Sequence, residues 1–151
     1  MRVLIAIAIL IATSATCFGQ QGIRQLAGRH ITLHTDLAPA PEVDELPQVF
    51  DAAVPLWCQY FGVDPAKAAM WKMTGCVMQD KDRFVAAGLY PKDLPPFPHG
   101  FARGSQLWIY DQPSNYYRRH LLLHEGTHQF MEQFVGGCGP PWYSLSAICS
   151  A

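Results

Sequence analysis

The segment Leu121-Leu122-Leu123-His124-Glu125-Gly126-Thr127-His128-Gln129-Phe130 constrains this chain more than any other. It contains His-Glu-x-x-His. Residues four apart on an α-helix lie about 40° apart around the axis and about 6 Å along it. Two imidazoles at that spacing can reach one metal ion from one helix face, and the Glu beside the first can address a metal-bound water. The triple leucine before the motif and Phe130 after it supply a buried side for the helix. Gly126 costs about 1 kcal/mol of helix propensity against Ala. Beside a metal, its missing side chain is expected to leave room for water and substrate. The bland alternative is an amphipathic helix with two chance histidines.

The chain has 151 residues, enough for one domain with a sizeable core. Its formal net charge is −1 and 15% of its residues are charged, which argues against a nucleic-acid partner or a polybasic membrane patch. Met1-Arg2, the apolar run Val3–Ala12 and the small, polar residues 13–19 read as a secretory signal peptide. The apolar run is too short for a permanent span, so no stable membrane span is expected after its removal. Cys17 would serve a lipoprotein reading, but Ser14-Ala15-Thr16 is a poor approach to a lipidation site. Export implies a periplasmic, cell-envelope or secreted location, where disulfides can form. Beyond the signal stand Cys58, Cys76, Cys138 and Cys149, whose pairing, or freedom as buried thiols, the sequence leaves open.

Residues 20–29 read as a leader. His30 to Asp36 alternates and predicts a first strand, with His30 and His34 as solvated strand residues rather than ligands. Glu42 to Phe61 predicts a helix, tolerant of Pro47 near its start and kinked or broken at Pro55. Val63 to Ala69 reads as a connector. Trp71 to Gln79 predicts a second strand with a bulge at Gly75, and Asp80 caps a short helix to Ala87. Leu89 to Arg103 carries four prolines and reads as an extended surface loop, with His99 on its surface. Leu107 to Tyr110 predicts a strand near the cleft edge, where an extended peptide could pair. The motif helix is expected from about Asn115 to Val135. His120 cannot join both motif histidines at one ion, because residues eight apart are about 12 Å apart along the axis. A supporting or core role is expected for it.

A catalytic zinc takes three protein ligands and keeps a position for water. The pattern that would place a third His shortly after the motif fails here, because Met131 and Phe134 stand in the relevant places. The run His124 to Met131, with Gly136-Gly137-Cys138-Gly139-Pro140-Pro141-Trp142-Tyr143-Ser144, resembles bacterial gluzincin-type proteins of the peptidase-MA group. More narrowly, it is similar to an exported bacterial domain family of that group. The resemblance covers roughly positions 30–144. It implies zinc held by His124 and His128, Glu125 as general base, and a peptide or protein substrate. In such proteins Trp-Tyr-Ser leads into Glu-Gly, whose Glu is the third ligand. Here Leu145-Ser146 follows, and no acidic residue occurs after Glu132. The expectation is a truncated or frameshifted C-terminus with little or no activity. A pseudoenzyme is the alternative, and Cys149 or Tyr143 is the minor candidate for a substitute ligand.

The reading is therefore an α+β domain over 30–151. A small mixed sheet of three or four strands packs on the long motif helix and a second helix, zincin-like and incomplete at its C-terminus. The function expected is zinc-dependent peptide-bond hydrolysis, or an inactive form of it. The alternative is a non-catalytic exported binding or envelope domain. The third metal ligand stays unidentified.

Overall fold

Met73–Met78 (β3) is the middle of a sheet, and its neighbours decide the architecture. A computed structural model describes residues 22–137. The expected signal peptide and the tail with Cys138, Tyr143 and Cys149 lie outside the described residues. Ile31–Thr35 (β2) and Gln106–Tyr110 (β5) run parallel to β3 on either side. Arg24–Ala27 (β1) and Gly100–Arg103 (β4) close the two edges antiparallel, giving the order β1-β2-β3-β5-β4. The fold is α+β with a five-stranded mixed sheet.

The parallel pairs need crossovers, and the two crossovers cover opposite faces. Between β2 and β3 run Pro41–Asp44 (α1), Leu46–Phe61 (α2) and Pro65–Ala68 (α3). With Asn115–Phe134 (α5) they bury Ile31, Leu33, Met73, Val77, Leu107 and Ile109. Between β3 and β5, Lys81–Ala86 (α4) and the proline-rich loop cover Cys76, Met78 and Trp108. Strand alternation does the sorting: Cys76 and Met78 face one way, Val77 the other.

Several expectations change. The 20–29 leader contains β1, because Asp51 of α2 accepts from the backbone N–H of Arg29 (2.5 Å) and His30 (2.7 Å) and ties down the hairpin turn. His30 is 5% exposed and not solvated, its Nδ1 lying 3.0 Å from the Trp71 carbonyl. The helix expected over 42–61 divides at Glu45, not at Pro55. Pro55 lies exposed within α2, which runs through it unbroken to Phe61. The expected connector contains α3, capped by Asp64. Gly75 makes no bulge, since the register runs evenly through it. A Cβ there would come within 2.6 Å of Leu33 and 2.8 Å of Leu107.

The proline-rich segment is a packed cover rather than an extended surface loop. Phe97 is 8% exposed and sits 5.7 Å from Phe101 and 5.4 Å from Tyr110, centroid to centroid. The Leu89 carbonyl accepts from Trp108 Nε1 at 2.9 Å. The end of this segment is β4, turned into β5 by Gly104-Ser105 with Gly104 at φ 63°. The strand at 107–110 is therefore internal, and β4 takes the edge expected of it.

Candidate metal centre

Helix α5 starts where Ser114 Oγ accepts from the Tyr117 N–H at 3.3 Å. Arg118, 8% exposed, fastens its first turns. It donates to Asp111 Oδ1 and Asn115 Oδ1, both at 2.7 Å. From that anchor the helix crosses α2 and β4. Its buried side is Leu122, Glu125, Gly126, Gln129 and Phe130.

Gly126 does not make space for water, contrary to the sequence expectation. A Cβ on it would lie 2.5 Å from Phe50 and 2.9 Å from Trp57. Glycine is required because α5 and α2 approach closely there. Phe130 extends the same contact into an aromatic cluster with Trp57, Phe61, Trp71 and Phe134.

The motif histidines lie together on the outer side, half-buried. His124 Nε2 and His128 Nε2 are 3.0 Å apart. Without a metal, an N–H of one ring donates to the lone pair of the other. Burial, and secondarily the neighbouring His124, hold the His128 pKa below its ordinary value, which favours the neutral, ligating form. Zinc–nitrogen bonds of about 2.0–2.1 Å at a tetrahedral angle separate two nitrogens by about 3.3 Å. The pair therefore fits one ion with a shift of a few tenths of an ångström. Among the described residues no group of three His, Cys, Asp or Glu side chains converges on an ion. Two donors fit, and a third is not among these residues.

Glu125 occupies a different place. It is 4% exposed, and burial raises its pKa to about 7. Its Oε1 would be 2.8 Å from a Cβ at Gly100, so β4 passes over the carboxyl at a position without a side chain. The imidazoles instead open on a groove of about 260 Å³, lined by His120, Leu123, His124, Thr127, His128 and Met131. The motif's adjacency in sequence thus splits in space: the imidazoles at the groove, the carboxyl at the seam of α5 and β4.

His120 is exposed and has no core role. Its ring stacks on Tyr116 at 6.0 Å and on His124 at 6.3 Å. His99 is exposed and His34 half-buried. Cys58 and Cys76 are free, buried thiols, and burial pushes Cys76 up to about 12. Sequence reasoning missed Gly100, for which no local signal exists. The His120 step of the i, i+4 series was legible; its continuation to Tyr116, as a stack of rings, was not drawn from the sequence. Among the described residues no helix is long and apolar enough to cross a membrane. No family model, curated protein or solved structure matches the chain.

Proposed function

We propose that this domain is an exported, gluzincin-like zinc hydrolase of peptide bonds, or the truncated and inactive form of one, with His124 and His128 as metal ligands and Glu125 as general base. The carrying observation is the 3.0 Å convergence of the two Nε2 atoms on one face of α5. A bound zinc would supply a Lewis acid and lower the pKa of its water to about 7. Glu125, next to His124 in the chain, would as a carboxylate accept a proton and return it to a leaving amine. A cation beside it would favour the carboxylate and bring its pKa down. Strand β4 ends the sheet beside α5, and an extended peptide could pair with that edge. The third donor comes from outside the described residues, with Tyr143 and Cys149 as the candidates the tail contains.

Metal content after chelator-free purification tests the ligand pair. Wild type should hold zinc, and His128→Ala should lose it. Equal zinc in both would reject the pair. In a form extended after Ser144 with Glu-Gly and an amphipathic helix, Glu125→Gln should keep zinc and abolish cleavage of an unfolded protein substrate. One observation favours the rival reading, a non-catalytic binding domain of the same fold: Glu125 is absent from the lining of the imidazole groove. Zinc binding with no cleavage of any peptide library by the extended form as well would select that reading.

A further inference from the structure

The i, i+4 spacing that joins His124 to His128 occurs once more on the same face. His120 precedes His124 by four residues, and Tyr116 precedes His120 by four. The rings form a ladder. Tyr116 and His120 are inclined by 15°, His120 and His124 by 25°, while His124 and His128 stand at 88° with their nitrogens converged. The ladder thus contains two bis-imidazole pairs that share one member. The inner pair is half-buried; the outer pair begins at an exposed histidine.

We propose that His120 and His124 form a second transition-metal site, overlapping the first and mutually exclusive with it. Side chains four apart on a helix have Cβ atoms about 5–6 Å apart, within the span of two imidazoles bound to one ion. Reaching that arrangement from the stack requires rotation of His120, whose exposure makes the movement cheap, and release of His124 from His128. His124 presents one Nε2, so the helix holds one ion at a time through it. The outer site offers two imidazoles and open water. Imidazole suits zinc, copper and nickel. An ion that keeps several waters, such as hydrated Ni²⁺, fits the outer pair better than the half-buried inner one. Neither pair needs catalysis to exist, so this site stands apart from the hydrolytic reading.

The experiment titrates the full chain, stripped of metal, with Ni²⁺ and separately with Zn²⁺ by calorimetry. Wild type, His120→Ala, His128→Gln, His128→Ala and the His120→Ala/His128→Gln double variant are compared. His34, His99 and the cysteines are common to all and set the background. Joining a second ligand on a rigid spacer strengthens binding by roughly a hundredfold. His128→Gln, which retains only the outer pair, should therefore bind Ni²⁺ roughly a hundredfold tighter than the double variant. Wild type should bind a single ion through this helix. If His128→Gln and the double variant bind Ni²⁺ equally, the outer site does not exist. If wild type takes up two ions and loses one on each single substitution, the sites do not share His124. Failure of the inner pair reads out differently, as equal Zn²⁺ affinity of His120→Ala and the double variant. Gln and Ala at 128 give two chances of a folded protein, checked by far-UV circular dichroism, and His120 is a surface position in both series.

Discussion

Along α5, Leu122, Glu125, Gly126, Gln129 and Phe130 are buried, while Tyr116 and His120 are exposed and His124 and His128 half-buried. The inner side is governed by distance: a Cβ at Gly126 would meet Phe50 at 2.5 Å. The outer side is governed by spacing alone, since rings four apart meet on any regular helix. Chemistry on the outer side should therefore survive most changes in the rest of the fold. Chemistry on the inner side, meaning the Glu125 carboxyl, should depend on α2 and β4.

The strongest way to break this contrast is Gly126→Val. The added branches cannot be accommodated between Phe50 and Trp57, and overpacking of this kind costs about 3 kcal/mol. A thermal or urea melt should show that loss. A drop under 1 kcal/mol would mean that α5 and α2 have more freedom than their contact implies.

Next comes Glu125→Gln in metal-free protein. The folded state raises the Glu125 pKa from 4.5 to about 7, so ionising this group opposes folding. Its penalty is absent below the unfolded value, grows as pH rises through the window from 4.5 to about 7, and is complete above it. Gln carries no such penalty. The variant should be more stable than wild type by about 3 kcal/mol at pH 8, with the gap closing toward pH 4. A pH-independent difference would place the carboxyl in water.

Gly100→Ala should act through the same carboxyl and cost about 1 kcal/mol, because the clashing atom is the free end of a side chain that can turn aside. It should also move the Glu125 titration, readable by carboxyl NMR, toward its ordinary range as the carboxyl is pushed outward. An unmoved titration would separate β4 from the site. The smallest effect belongs to His120→Ala, an exposed helix position, expected within about 0.5 kcal/mol of wild type in a melt. A larger loss would show that the aromatic ladder is structural.

The motif helix, its Ser114 or Asp111 start and the strands at β2, β3 and β5 were legible because periodicity and capping are local. Edge strands β1 and β4 were not. Arg24–Ala27 follows polar residues without strong alternation, and β4 sits at the end of a segment whose prolines read as loop. Each is created by a partner: β1 by β2 and the Asp51 clasp, β4 by the hairpin onto β5. The break that Pro55 offered as one outcome does not occur, since α2 runs through it to Phe61. A proline's cost within a helix depends on its surroundings, and only the packed helix shows them.

By itself the sequence determined which groups share a face of α5, since a helix converts spacing into direction without help from the rest of the chain. His124, His128 and, one step further back, His120 follow from it. The surroundings of those groups were decided by tertiary structure. Whether Gly126 is a gap or a contact depends on α2, more than sixty residues earlier in the chain. Whether Glu125 is an ordinary carboxylate or one held near pH 7 depends on β4 crossing it at Gly100. Burial and close approach arise between elements, and no local pattern of residues encodes them.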